Sequence, residues 1–118
     1  MKSLLKRRLL GASRHSLFGL RAAWHSEEAF RVELVLFLLL APLAFWIGDN
    51  AAEVSLLIGS LVFVMVVELL NTGLEKTIDR ISTEIHETSR FVKDVGSAAV
   101  GISLMQAIGI WALILFMG

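Results

Sequence analysis

A carboxylate lies inside an apolar stretch of the sequence, where a charge is costly. Glu68 is the one charged residue of the stretch 54–70, and an acidic group at bilayer depth costs roughly 2.5–3.5 kcal/mol on insertion scales. Such a residue is by default a candidate for function. Asn71, Glu75 and Asp79 follow at +3, +7 and +11, close to the same face of a helix. The spacing predicts a polar stripe that leaves an apolar span.

The stripe could serve the two ends of a phosphoryl transfer. Glu68 and Glu75 are seven residues apart, or roughly 10 Å along a helix, which is too far to share a proton or one metal ion. Glu75, with Glu27 as a second oxygen donor, suits Mg²⁺ at the water boundary. Glu68 could accept the proton of a lipid hydroxyl, and Lys93 and the N-terminal arginines could meet nucleotide phosphates. Polar stripes also hold helices together, so a purely structural bundle is an alternative.

The elements that position these residues are membrane-spanning helices. The chain has 118 residues, of which 56% are hydrophobic and one is proline, a composition typical of a membrane protein. Three apolar runs without a period of two, 32–47, 54–70 and 95–117, predict an all-α helical bundle in one domain, 1–118. Pro42 interrupts the first run. The chain has no cysteine, which excludes thiolate metal sites and a cysteine nucleophile.

The distribution of charge predicts how the bundle crosses the membrane. All 11 Lys and Arg residues lie before the first run or between the second and third, whereas the link 48–53 carries acids and no base. By the positive-inside rule, the N-terminus and the segment 71–94 face the cytosol and the C-terminus faces outward.

Residues 1–25 are predicted to form an amphipathic helix on the membrane surface. Arg7, Arg14 and Arg21 recur at heptad spacing, and bases beside an apolar face suit the headgroup level. The apolar residues three positions after them are Leu10, Leu17 and Trp24. Simple anchoring and a role in substrate or nucleotide binding both fit this pattern.

Local signals set the remaining helix ends. Ser26 is predicted to cap the next helix, with Glu27 and Arg31 paired at i, i+4. The second span lacks a helix breaker after Asn71 and should continue to about residue 81. The polar segment 82–90 is predicted to be a turn or loop.

Three blocks of the sequence resemble one family. The segment 68–79 (ELLNTGLEKTID) closely resembles the signature of the prokaryotic diacylglycerol kinase family of integral membrane enzymes. The blocks 19–31 (GLRAAWHSEEAFR) and 93–99 (KDVGSAA) agree with that family in order and spacing. The resemblance covers nearly the whole chain. Phosphate-binding motifs of soluble kinases are absent from the sequence.

The resemblance implies a homotrimer of three-span subunits with a surface helix, in the bacterial cytoplasmic (inner) membrane. Such a protein phosphorylates diacylglycerol with MgATP to give phosphatidic acid, with Mg²⁺ as cofactor and sites at subunit boundaries. The implied partners are the lipid, MgATP and the membrane, without nucleic acid. A sister branch phosphorylates undecaprenol and is the runner-up, although the long basic N-terminal helix and the RAAW block favour diacylglycerol.

The resemblance also assigns roles to matching positions. It places the catalytic base at Glu68 and metal-linked nucleotide contacts at Glu27 and Glu75. Further nucleotide contacts fall on Arg8, His15, Glu84, His86, Lys93 and Asp94, although the residues around His15 depart from the family pattern. Lipid contacts fall on Arg21, Ala22, Ala23, Trp24, Ala29, Phe30, Arg31, Glu33 and Ser97. Asn71 and Asp79 would support the site.

A small multidrug transporter is an alternative from a different class, because it too is short and carries a membrane glutamate. Such transporters need about four spans and little structure outside the membrane, whereas this chain has three apolar runs and a charged 71–94 segment. The stripe that leaves the membrane therefore favours the kinase.

Overall fold

The computed structural model describes residues 1–81 and 86–118, and almost all of them are helical. The helices are α1 (Lys2–Ser26), α2 (Glu28–Ile47), α3 (Ala51–Ile81) and α4 (Glu87–Met117). The helices α2, α3 and α4 are each long and apolar enough to cross a bilayer. The prediction of an all-α protein with three membrane spans is therefore confirmed.

Helix α3 is the centre of the protomer, because it packs against α2 on one side and α4 on the other. The buried seam is narrow and includes Leu57 and Val64 of α3, Ala44 of α2 and Ala107 of α4. Trp111 ties α4 to α3 through a hydrogen bond from its ring N–H to the Leu57 carbonyl, at 3.2 Å. Most large apolar side chains of the spans face outward, as expected where lipid or other helices cover them.

Helix α2 runs through Pro42 and ends at Ile47. Proline is tolerated in membrane helices, where neighbouring groups satisfy the carbonyl that it leaves free. The predicted interruption therefore does not break the span. At the following turn Asn50 Oδ1 accepts from the Glu53 N–H at 2.9 Å. The Asp49 N–H in turn donates to Glu53 Oε1 at 3.1 Å, which fixes the start of α3.

The corner between α1 and α2 differs from the predicted one. Ser26 is the last residue of α1, and Glu27 is the N-cap of α2 without a side-chain capping bond. Arg31 donates from Nη1 to the Trp24 carbonyl at 2.7 Å and to the His25 carbonyl at 3.3 Å. The arginine thus caps the C-terminal end of α1, and the predicted Glu27–Arg31 ion pair does not form because Arg31 turns back to α1.

Helix α3 continues beyond the apolar run to Ile81, as predicted. Helix α4 begins at Glu87, so the prediction of a loop over 82–90 is wrong for 87–90. The cause is His86, whose Nδ1 accepts from the Thr88 N–H at 3.1 Å and caps the helix. Residues 87–90 therefore form the first turn of α4.

Helix α1 extends sideways from the bundle. The protomer measures 48 × 45 × 25 Å, and a 31-residue helix accounts for about 46 Å of one long axis. Three packed helices at interaxial distances of about 8–10 Å are much narrower than the second long axis. That axis is therefore accounted for by α1, which contacts α2 through its C-terminal part and buries only Ala23.

Candidate active site

The acidic residues gather where α2 begins, α3 ends and α4 begins, a region called the charged end below. Glu68 is the buried member, with 7% of its surface exposed. The negative charges of Glu27 and Glu75 both act on Glu68, and Glu68 in turn acts on Glu33. Two helices, α2 and α3, thus bring four carboxylates into electrostatic reach of one another.

Asn71 connects this acidic cluster to α4. Its side-chain Nδ2 donates to Glu75 Oε1 at 3.4 Å, and its Oδ1 is buried without a hydrogen-bond partner among the described residues. The Oδ1 points at Gly96 of α4, where a Cβ atom would collide with it. Gly96 is therefore the residue of α4 against which the Asn71 side chain packs. The small residues of 93–99 indicate a close contact between helices, but the sequence does not show which of them meets Asn71.

Substitution of Gly96 by alanine should separate this contact from ordinary helix propensity. We expect Gly96→Ala to lower the free energy of unfolding by about 1–3 kcal/mol relative to Gly101→Ala, because Asn71 must move and overpacking has this cost. Gly101→Ala is the matched control, since no described residue beyond its own helical turn comes within 4 Å of its Cβ position and alanine favours the helix. Unfolding in mixed detergent measures both. Equal stability of the two variants would contradict the close contact between Asn71 and Gly96.

Asp79 and Lys93 join the ends of α3 and α4. Lys93 Nζ donates to Asp79 Oδ1 at 2.9 Å, and the two side chains are 50% and 44% exposed for Asp79 and Lys93 respectively. A pair this exposed adds little stability, about 0–1 kcal/mol. Its effect is to hold the lysine ammonium at the charged end, where a phosphate group could meet it.

Glu33 lies one helix away from the stripe, at the mouth of an apolar groove. The groove has a volume of about 450 Å³ and is lined by α2, α3 and α4, including Phe37, Val64 and Trp111. Glu33 Oε2 is buried and has no hydrogen-bond partner among the described residues. A buried oxygen without a partner is costly, so this end of the groove suits a ligand that brings a polar group with an apolar body.

The acidic cluster offers carboxylate oxygens, which are the ligands that a hard cation prefers. Among residues 1–81 and 86–118, the ion pair formed is that of Lys93 with Asp79, and neither Glu27 nor Glu75 takes part in one. Within the same residues, no three His, Asp or Glu side chains converge as a complete metal site. Mg²⁺ is commonly held by one or two carboxylates together with substrate phosphates, so Glu27 and Glu75 are candidate ligands.

The other residues assigned to the nucleotide lie farther out on the structure. Arg8 and His15 are exposed on α1, and no hydrogen bond or ion pair of theirs is recorded among the described residues. His86 caps α4, and Asp94 is exposed next to Lys93. Glu84 lies outside the described residues. The structure thus brings Glu75, Asp79 and Lys93 together and leaves Arg8 and His15 apart from them.

The residues assigned to lipid divide into two environments. Ala23 and Phe30 are buried inside the protomer, with 5% and 1% exposure, whereas Trp24 is 38% exposed. Arg31 is engaged with the end of α1, a role that the sequence does not indicate. The other exposed members are Arg21, Ala22, Ala29 and Ser97.

A second groove separates α1 from α3 and has a volume of about 530 Å³. On α1 it is lined by Gly19, Ala22 and Ala23, and on α3 by Leu69 and Lys76. Its lining on α3 includes Leu69, the residue that follows Glu68 in the sequence, but not Glu68 itself. A ligand in this groove would touch the block 19–31 of α1 and the face of α3 beside the polar stripe, because the α3 lining is Leu69, Thr72, Gly73 and Lys76.

Three spanning helices with a buried carboxylate and an acidic cluster at one end define a multi-pass membrane protein. Residues 14–115 match the sequence profile of the family described as "Prokaryotic diacylglycerol kinase". The chain therefore belongs to the prokaryotic diacylglycerol kinase family.

Curated relatives agree with this family over nearly their whole length. The diacylglycerol kinase of Escherichia coli strain K12 is 45% identical over 109 residues, which cover 92% of this chain and 89% of the relative. The diacylglycerol kinase of Haemophilus influenzae is 44% identical, with 92% of each chain covered. That of Pseudomonas aeruginosa is 40% identical, with coverage of 92% and 89%. These matches and the three spans favour the kinase over the small transporter.

Proposed function

We propose that this chain transfers the γ-phosphoryl group of ATP to the free hydroxyl of diacylglycerol, with Glu68 as the proton acceptor. The phosphorylation of diacylglycerol follows from membership of the family. The observation that carries the role of Glu68 is its burial at the charged end, where the charges of Glu27 and Glu75 act on it and no described residue forms an ion pair with it.

Proton transfer and nucleotide binding would take place at different positions along α3. The Glu68 carboxylate takes the hydroxyl proton while the lipid oxygen forms a bond to the γ-phosphorus and the bond to the β-phosphate oxygen breaks. The products are phosphatidic acid and ADP, and the proton leaves Glu68 afterwards. Glu27 and Glu75 would hold Mg²⁺, which neutralises phosphate charge when bound. Lys93 would meet the phosphates by exchanging its bond to Asp79 for one to phosphate oxygen.

Asn71 supports this arrangement from the turn between the two glutamates. Its amide donates to Glu75, and its oxygen is held against Gly96. The orientation of Glu75 is therefore linked to the packing of α3 on α4. We propose that this link keeps the metal-binding carboxylate at a fixed distance from Glu68.

The membrane setting is part of the proposal. In it the chain forms a homotrimer in the bacterial inner membrane, with the charged end in the cytosol, where ATP is available, and the C-terminus outside. Helix α1 lies on the cytosolic surface as an amphipathic helix. The distribution of Lys and Arg supports the orientation, and the narrow buried seam of the protomer leaves room for neighbouring subunits.

An acceptor assay tests the function. In mixed micelles with MgATP we expect phosphorylation of diacylglycerol and much slower phosphorylation of undecaprenol, because relatives 44–45% identical to this chain are named for diacylglycerol. The transfer of labelled phosphate to each lipid measures both reactions. Preference for undecaprenol would support membership of the sister branch. Activity on neither lipid would contradict the proposal that the chain is a lipid kinase.

A further inference from the structure

One side of α1 faces away from the rest of the protomer. The side that meets the protomer includes Ala23 and the lining of the second groove from Ser16 to Ser26. At 100° per residue, Arg7, Arg14 and Arg21 lie roughly 140–180° around the helix from the centre of that lining. These three residues, called the arginine row below, are all exposed. The protomer therefore leaves them without cover.

An apolar row runs beside the arginine row at about 60°. Leu10, Leu17 and Trp24 are 61%, 66% and 38% exposed, respectively. Bases directly beside an exposed apolar row are typical of a helix at the headgroup boundary, where the apolar side chains enter the lipid and the guanidinium groups reach phosphate.

The charge of the segment selects among lipids. Residues 1–26 contain six bases, Lys2, Lys6, Arg7, Arg8, Arg14 and Arg21, and no Asp or Glu. A neutral leaflet would satisfy the apolar row alone, whereas an anionic leaflet complements the bases as well. Helix α1 is also joined to the spanning helix α2 at Glu27, so that it is held beside the leaflet surface.

We propose that this side of α1 docks on the anionic phospholipid headgroups of the leaflet at the charged end. The proposal rests on the surface placement of α1 under the proposed function and adds the kind of lipid that holds it there. It assigns Arg7 and Arg14 to lipid phosphate outside the reaction site. The strength of docking should follow the anionic fraction of the leaflet and should weaken as salt screens the charges.

The absence of cysteine allows a single label to report the depth of α1. Ser13 is exposed and lies roughly 40° from Leu17 around the helix. A fluorophore on Ser13→Cys, in the full chain in nanodiscs, can be quenched by lipids brominated near the headgroup. We expect stronger quenching in mixed phosphatidylcholine and phosphatidylglycerol than in phosphatidylcholine alone, with a decrease when salt is added. This measurement needs no ATP, so its failure is separable from failure of the kinase.

Two double variants isolate the arginine row. Arg7→Gln with Arg14→Gln should lower the ratio of docked to undocked α1 in the anionic nanodiscs by about 30-fold, from roughly 1 kcal/mol per base. Arg80→Gln with Arg90→Gln removes the same charge from exposed positions of α3 and α4 and should keep the response. Equal quenching in neutral and anionic nanodiscs would overturn the proposal. An equal loss in both double variants would overturn it too.

Discussion

Glu68→Gln should lower the turnover of diacylglycerol about 10²–10⁴-fold, the usual contribution of a positioned general base. Glutamine has the same shape and keeps a hydrogen-bonding end, but it cannot take the hydroxyl proton. The loss should fall on kcat, with a smaller effect on the KM for ATP, because the nucleotide is proposed to bind at Glu75, roughly two turns away. Initial rates at saturating lipid and varied MgATP measure both constants.

Stability distinguishes a catalytic role of Glu68 from a structural one. Removal of a buried charge that other carboxylates oppose should leave the protein as stable as before or more stable. Glu53→Gln is the matched control, because it removes an acid from the first turn of the same helix, at the opposite end of the span. Near-normal turnover of Glu68→Gln, or a loss of folding, would contradict the role of proton acceptor.

Hydropathy and the absence of breakers were enough to predict the main elements. The runs 32–47, 54–70 and 95–117 lie inside α2, α3 and α4, and α3 continues to Ile81 because nothing after Asn71 stops a helix. The polar residues 87–90 carry no such signal. Their helix depends on His86, which is not among the usual capping residues, so composition alone predicts a loop there.

Contacts between distant parts of the chain account for what the sequence did not predict. Ser26 has the right side chain for a cap, but Arg31 satisfies the last carbonyls of α1 and extends that helix through Ser26. The meeting of Asn71 with Gly96 depends on how α3 and α4 pack. In contrast, the stripe itself was predictable, because Glu68, Asn71, Glu75 and Asp79 follow from helical spacing alone.

The position of Glu75 makes it the best place to separate metal binding from proton transfer. It accepts the Asn71 amide on Oε1, and glutamine can accept the same bond through its own oxygen. Glu75→Gln therefore keeps the packing of the turn and removes the charge. A loss of activity in this variant would therefore indicate weaker binding of the cation and the nucleotide. It would not indicate a change in the packing of Asn71 against Gly96.

We expect Glu75→Gln to raise the Mg²⁺ concentration for half-maximal rate at fixed ATP by at least about 10–100-fold, since loss of a group that only supports a metal ligand already costs that much. Excess Mg²⁺ should restore part of the rate, which it should not do for Glu68→Gln. Glu28→Gln is the matched control, because Glu28 is an exposed acid adjacent to Glu27. If the control shifts the Mg²⁺ requirement equally, the effect is general electrostatics, and Glu75 is not a ligand. An unchanged requirement in Glu75→Gln would lead to the same conclusion, because a carboxylate that binds the cation cannot be neutralised without weakening it.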